Sequence, residues 1–365
     1  MRILVDINHP AHVHLYRHFI REMEKRGHQF WITVKNDTAS KQLLELYNFP
    51  FIEIGDKSDS IIGKSWNQIK YNNRLRRLVK ENEIDIGIGT SVTVAHISKI
   101  SCMKSVVFDD DDDRVEPLFT YFVHPFSDYL ISPDALQGTR RKKDTVYFAG
   151  YHELAYLHPN RFQPDPGVLT DAGVKEGEDY FILRFNAFKA HHDSGVRGLS
   201  QDEKKILINK LKHRGKILIT TERDIDKEYK EYHLNVSPDK IHSLLYYAKM
   251  FVGDSQTMTS EAAVLGTPAL KCNTFAGRLS IPNELEKKYK LCFSFQPFKF
   301  TALINKIDEF LKIQKLEEVW QENRMKMLKD KIDVPSFMVW FIENLPKSAV
   351  IIRNNPDFQS LCHFI

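Results

Sequence analysis

The chain has 365 residues, 42% of them hydrophobic and 27% charged, with only 16 Gly and 15 Pro. That composition excludes disordered, collagen-like and low-complexity classes, and at roughly 150 residues per domain the length predicts two domains. Lysine and arginine exceed aspartate and glutamate by 52 − 48 = 4, too small a surplus to imply nucleic acid as a partner.

From the N-terminus, the apolar run 2–7 predicts a strand, and Leu15, Phe19 and Met23, four apart before Gly27, predict a helix over 14–26. The alternation continues as strand 29–34, helix 39–47, strand 50–54, a long basic helix 60–82, strand 84–88, helix 91–100 and strand 104–108. Strands alternating with helices at this spacing mean βαβ units and a parallel sheet. Residues 158–179, with three prolines and three glycines, read as a loop. A second series follows: strands 180–185, 216–221, 250–254 and 267–272, with helices near 200–214, 239–249, 256–265 and 301–329. A final amphipathic helix, 335–345, is placed to pack back on the first half. The expected division is therefore 1–157, 158–332 and a C-terminal helix and tail, 333–365.

Ligands of open parallel sheets sit beyond the carboxyl ends of the strands, where helix N-termini point, so the residues after each strand are the candidates. After the first strand stand Asn8, His9, His12 and His14. Histidine titrates near neutrality and is the natural base for a hydroxyl; a metal reading of His-x-x-His-x-His is disfavoured by the lack of an adjacent carboxylate or thiolate. After strand 104–108 come five aspartates, Asp109 to Asp113. They read as a solvated acidic loop, as a base or sugar-hydroxyl acceptor from Asp109 or Asp110, or as a divalent-ion site. Tyr151, His152 and Glu153 are polar groups suited to hydrogen-bonding and stacking on sugars.

In the second half, Arg184 and Lys189 are placed to meet a diphosphate, with His192 and Asp193 close behind. The segment Gly253-Asp254-Ser255-Gln256-Thr257-Met258-Thr259-Ser260-Glu261, running to Gly266 and Pro268, reads as strand, hydroxyl-rich loop and helix start. Ser255, Thr257, Thr259 and Ser260 with exposed N–H groups would cradle phosphate, and Glu261 would accept from a ribose diol.

Four cysteines, Cys102, Cys272, Cys292 and Cys362, lie far apart with no C-x-x-C pair, suggesting neither a zinc ribbon nor a disulfide framework. No apolar stretch has the ~18 uncharged residues of a membrane span, and the start, MRILVDINHP, reaches a charge and a histidine before a signal-peptide apolar region forms. A cytoplasmic location is expected. The basic clusters 74–77 and 140–143 read as solvated surface or, more sharply, as a patch for the inner face of an anionic membrane.

The 253–268 segment resembles the G-x-S-x-x-x-x-E-A-x-x-L-G-x-P signature of nucleotide-sugar enzymes with the GT-B fold, among them the bacterial UDP-N-acetylglucosamine 2-epimerases and the N-acetylglucosaminyltransferase of peptidoglycan synthesis. To about residue 330 the chain is similar to the family catalogued as domain of unknown function 354, through residues 6–14, 150–159, His192-Asp193 and the Glu261 segment. The resemblance implies an α/β, GT-B-like fold: two Rossmann-like domains facing across a cleft, the first binding an acceptor and the second a nucleoside-diphosphate sugar. It implies a ribose contact for Glu261, phosphate contacts for the Ser255 to Ser260 hydroxyls, a base at His12, and no cofactor. The first loop lacks the glycine-rich turn of the peptidoglycan enzyme. The Asp run stands where the family pattern is Asp-Thr-Glu-His.

Three functions follow as expectations. The first is a glycosyltransferase moving sugar from a nucleoside-diphosphate donor to a glycan or glycolipid acceptor in surface-polysaccharide or glycolipid assembly, with His12, His14 or Asp109 as catalytic groups. The second is a nucleotide-sugar 2-epimerase, which needs acid/base carboxylates around the sugar ring, supplied by the Asp109 region or Glu153. The third is a non-catalytic nucleotide-sugar-binding protein. Fold analogy does not separate them.

Overall fold

The computed structural model describes residues 1–56, 61–185, 197–221 and 227–361. It divides into two compact units: Met1–Tyr156 with Lys331–Ile365, and Leu157–Asp330. In the first unit the chain runs β1 (Arg2–Ile7), α1 (Pro10–Lys25), β2 (Gln29–Asn36), α2 (Thr38–Leu46), β3 (Ile52–Asp56), α3 (Ile61–Glu81), β4 (Ile86–Ile88), α4 (Val92–Ser98), β5 (Lys104–Phe108), α5 (Pro117–Phe122), β6 (Tyr129–Pro133), β7 (Val146–Phe148) and α6 (Leu154–Leu157). The strands form one parallel sheet in the order β3-β2-β1-β4-β5-β6-β7. Its central strands are buried on both faces, as helices on either side require.

In the second unit α7 (Gly167–Asp171) precedes β8 (Tyr180–Arg184), α8 (Gln201–Leu211), β9 (Lys216–Thr220), α9 (Ile241–Tyr247), β10 (Met250–Gly253), α10 (Gln256–Leu265), β11 (Ala269–Cys272), α11 (Ser280–Lys287), β12 (Cys292–Phe295), α12 (Phe300–Phe310) and α13 (Leu316–Asp330). These strands are again all parallel, in the order β12-β11-β10-β8-β9. The chain then returns to the first unit as α14 (Val334–Glu343), α15 (Lys347–Asn354) and α16 (Phe358–Leu361).

Several elements differ from the sequence reading. β6, β7 and β12 were not expected; β7 and β12 are edge strands only partly buried, so neither carries a continuous buried apolar run. The expected helix 301–329 is two helices, separated by residues 311–315 with Lys315 at φ 55°. The loop 158–179 contains α7. The final helix is followed by two more, and Gln359 of α16 explains why they stay: its amide accepts from Ala149 N at 2.9 Å and donates to Tyr147 O at 3.0 Å, closing the edge beside β7. α14 packs on α1, where Glu343 pairs with Arg26 at 3.1 Å and His28 at 3.0 Å.

Each sheet has one place where the winding reverses, between β1 and β4 in the first unit and between β8 and β10 in the second, and such switch points are where doubly wound sheets open. Glycine makes both close approaches. A Cβ on Gly89 would lie 2.8 Å from Asp6 O, and one on Gly253 would lie 2.4 Å from Arg184 O.

Candidate functional site

At the β1/β4 switch point, Asp6 is fully buried at the end of an apolar strand. Its carboxylate accepts from Thr33 Oγ1 at 2.7 Å, from Ser91 Oγ and from Asn8 Nδ2 at 3.3 Å, so it ties the loop after β1 to the loop after β4. Asn8 Nδ2 also reaches Thr90 O at 3.3 Å, leaving Asn8 Oδ1 buried without a hydrogen-bond partner among the described residues. His9 caps α1 through Nδ1, which accepts from Ala11 N at 3.2 Å, and remains exposed.

His12 accepts from Asn8 N at Nδ1, 3.4 Å away, which places the neutral ring's proton on Nε2. Burial, with His9 and His152 beside it, pushes His12 down to about 3. That shift favours the neutral ring, as a donor through Nε2, and works against its expected role as base. His14, two residues along the helix, turns to another face: it is buried, with ring centroids 5.8 Å from Tyr47 and 5.2 Å from Tyr156.

The Asp run is solvated only in part: Asp111 is exposed, and Asp110 and Asp112 are half-buried. Asp109 and Asp113 are buried, and the Arg140 guanidinium lies 3.0 Å from Asp109 Oδ2 and 2.7 Å from Asp113 Oδ1. It donates as well to Asp109 O, Asp111 O and Ser132 Oγ at 2.6, 2.5 and 3.0 Å, while His124 Nε2 lies 2.8 Å from Asp109 Oδ2. Arg140, read from sequence as part of a surface cluster, is the buried clamp that neutralises two of the five carboxylates. Asp109 is thereby occupied in structure and unsuited to act as a base.

Asp110 points elsewhere. Its Oδ2 lies 3.2 Å from His152 Nδ1, and His152 stacks flat on Phe148, 6.3 Å between centroids. His152 Nε2 is buried and has no hydrogen-bond partner among the described residues. Burial alone lowers a histidine, but here Asp110, with Glu153 and Asp109 behind it, outweighs burial and raises His152; Asp110 is correspondingly lowered, the His152 charge outweighing its burial. Asp109, Asp110 and Asp111 are close enough to share a cation, with the Arg140 charge held against the same loop. Tyr151 is fully buried with Lys331 Nζ 4.6 Å from its ring centre, so it is no platform for a sugar. Glu153 is buried beside His152.

At the β8/β10 switch point, α10 starts at Gln256, so the expected hydroxyl loop is mostly helix. Ser255 is the N-cap, its Oγ accepting from Met258 N at 3.4 Å. Thr259 is fully buried and donates back to Ser255 O at 2.6 Å, and Ser260 is also buried; Thr257 is the partly exposed hydroxyl of the four. What the turn offers an anion is its first N–H groups and Thr257. Glu261 is buried, with Oε1 3.1 Å from His242 Nε2. Arg184 reaches Thr220 Oγ1 at 2.7 Å from the end of β8. Lys189, His192 and Asp193 lie outside the described residues.

Sequence reasoning missed Lys271. Its fully buried ammonium donates to Gln256 Oε1 at the start of α10, and burial pushes it down to about 8. The signal was a lone lysine at the end of the apolar run 267–270. Asp6 carries the same kind of signal, a carboxylate inside an apolar strand.

Comparison with known proteins gives the fold and a family. The family described as "Protein of unknown function (DUF354)" matches residues 1–336. An uncharacterized protein of Methanocaldococcus jannaschii is 24% identical over 288 residues, 74% of this chain and 81% of the relative. Among solved structures, the UDP-GlcNAc 2-epimerase of Methanocaldococcus jannaschii superposes with TM-score 0.62 at 14% identity, covering 86% of this chain and 94% of its own. A Streptomyces sp. SF2575 glycosyltransferase in complex with thymidine diphosphate gives 0.61 at 11% identity, covering 94% and 99%. The fold is α/β and GT-B-like, shared by epimerases and glycosyltransferases alike.

Proposed function

We propose that this chain, which belongs to the DUF354 family, transfers a sugar from a nucleoside-diphosphate donor to a hydroxyl of a glycan or glycolipid acceptor. The observation that carries the reading is His152: a largely buried imidazole held at Nδ1 by Asp110, with Nε2 lacking a hydrogen-bond partner among the described residues, as Asn8 Oδ1 does. Two buried acceptor atoms without donors suit a ligand rich in hydroxyls. In this mechanism His152 Nε2 takes the proton as the acceptor oxygen bonds to the anomeric carbon. The bond from that carbon to the diphosphate breaks, and the electron pair leaves with the diphosphate. Asp110 steadies the imidazolium, and His12 donates through Nε2 to orient the substrate.

The second unit takes the nucleotide in this reading. The first turn of α10, with Thr257 and the buried charge of Lys271 behind Gln256, supports binding of a diphosphate as negative charge develops. Glu261 is the ribose contact, already oriented by His242. An epimerase would want carboxylates around the sugar ring; Asp109 and Asp113 are committed to Arg140 and Asp110 to His152, so that reading would turn on Glu153.

Titration calorimetry with UDP, GDP, CMP and dTDP tests the nucleotide half. Binding of at least one is expected, and Glu261→Ala weakens it by about 1–3 kcal/mol, the scale of hydrogen bonds to a charged group. Equal affinity in a folded Glu261→Ala chain removes the ribose assignment. Epimerisation of a nucleotide sugar in the absence of any acceptor would replace transfer by the second activity.

A further inference from the structure

The chain re-enters the first unit at Lys331, one residue after the second unit ends at Asp330. Lysine is almost never fully buried unless it is paired, yet the side chain of Lys331 is buried completely. Its Nζ lies 2.6 Å from Asp134 Oδ1 and 4.6 Å from the centre of the Tyr151 ring. Asp134 keeps 35% of its side chain exposed, so a pair of this kind could form at the surface without the cost of desolvating the ammonium. What Lys331 is buried against supplies the reason.

The residues that follow are laid along a single loop. Ile332 N donates to Ala149 O at 2.8 Å. Val334 stands so close to Gly150 that a Cβ on the glycine would lie 2.9 Å from Val334 Cγ2. Phe337 of α14 stacks on Phe148, 5.8 Å between centroids. Lys331, Ile332, Val334 and Phe337 thus meet Tyr151, Ala149, Gly150 and Phe148, which is every residue from the end of β7 to the one before His152. Phe148 in turn stacks on the His152 imidazole, 6.3 Å between centroids and 6° from parallel. Asp110, on the loop after β5, holds one atom of that ring, Nδ1, at 3.2 Å. One contact at one atom leaves the plane of the ring to be set by Phe148 and the backbone of 149–151.

We infer that Lys331 is a positioning residue for His152: held by Asp134 and laid against Tyr151, it fastens the returning chain to the 148–151 loop, and that fastening sets the plane in which the imidazole meets Asp110. A functional side chain needs its rotamer locked by the groups packed around it, and here the lock is supplied by a segment 179 residues further along the chain, counted from His152 to Lys331. Lys331 handles neither substrate nor proton in this account. That His152 is the base rests on the proposed function; its placement by the returning segment stands on the contacts.

Nuclear Overhauser cross-peaks between the His152 and Phe148 rings, in the full chain labelled at histidine and phenylalanine, test the inference, with the His152 signals assigned by their absence from His152→Gln. The wild-type chain is expected to show the cross-peak. Lys331→Met keeps the reach of the side chain and removes its charge, and the partly exposed Asp134 can then turn to water. The cross-peak should fall several-fold in that variant and the His152 signals should move, while the cross-peak of His96 with Phe126, 4.9 Å between centroids elsewhere in the unit, keeps its intensity. A second variant reaches the same loop without touching the charge. Gly150→Ala sets a methyl against Val334 and Phe148 and should weaken the same cross-peak, and adding Val334→Ala makes room and should restore part of it. If Lys331→Met melts far below wild type, the Gly150 pair decides. An undiminished cross-peak in folded Lys331→Met, or in Gly150→Ala where that variant decides, means that the segment holds the chain and not the imidazole, and overturns the inference. So does its absence from the wild-type chain, or an equal loss at His96 and Phe126, which would make Lys331 a residue of general stability. The measurement needs no nucleotide, acceptor or turnover, so this inference and the proposed function fail separately.

Discussion

Replacing His152 with alanine is expected to lower acceptor-dependent turnover by about 10²–10⁴-fold, the usual worth of a positioned general base, while nucleoside-diphosphate affinity stays at the wild-type level. The separation follows from where the interaction forms: proton transfer belongs to the transition state and not to the donor complex. Acidity supplies a second readout. His152 is raised above 6.5 by Asp110 against the effect of burial, so the base form accumulates only above that raised value and the rate climbs with pH through it. In Asp110→Asn the carboxylate is gone and burial remains. The rising limb should then move to lower pH, while the plateau falls because Nδ1 loses the partner that fixes the tautomer. A variant with lower activity and an unmoved limb would make Asp110 a packing residue. If His152→Ala keeps near-normal turnover while His12→Ala loses it, the proton goes to His12 after all, against its depressed titration.

The strand–helix alternation was legible because the strands that carry it, such as β1, β5, β8 and β10, are buried apolar runs of four to six residues followed by polar turns. β7 and β12, edge strands only partly buried, hold no such run. The candidate site was half legible for a related reason. Proximity along the chain marked Asn8, His9 and His12 at a strand end, but it also admitted His14, which helical geometry turns onto Tyr47 and Tyr156. Five adjacent carboxylates suggested repulsion and solvent, because the cation that offsets it stands 31 residues from Asp109. Likewise Glu261 meets His242 across 19 residues, and Tyr151 is covered by Lys331. Chemistry carried by neighbours in sequence can be read from it; pairing that depends on the sheet bringing distant segments together cannot.

Arg140 makes the strongest case for such pairing, and Arg140→Met is expected to destabilise the first unit by about 3–5 kcal/mol, the cost of leaving buried charge uncompensated. The side chain is fully buried and serves two carboxylates, two main-chain carbonyls and Ser132, so methionine replaces its volume and none of its charge. Since whole domains are stable by only about 5–15 kcal/mol, the loss should be plain in urea or thermal unfolding of the first unit. The sign of the cause can be tested by removing the orphaned charges. Asp109→Asn with Asp113→Asn in the Arg140→Met chain should recover part of the loss, a coupling that independent sites do not show. In the chain that retains Arg140 the same asparagine pair should destabilise, because it leaves a buried guanidinium without an anion. Equal effects of the asparagine pair in both backgrounds would mean that the clamp is packing and not charge. Function would register the clamp as well: Arg140 holds the loop whose next residue after Asp109 is the partner of His152, so a folded Arg140→Met chain should lose turnover while the nucleotide affinity of the second unit is unchanged.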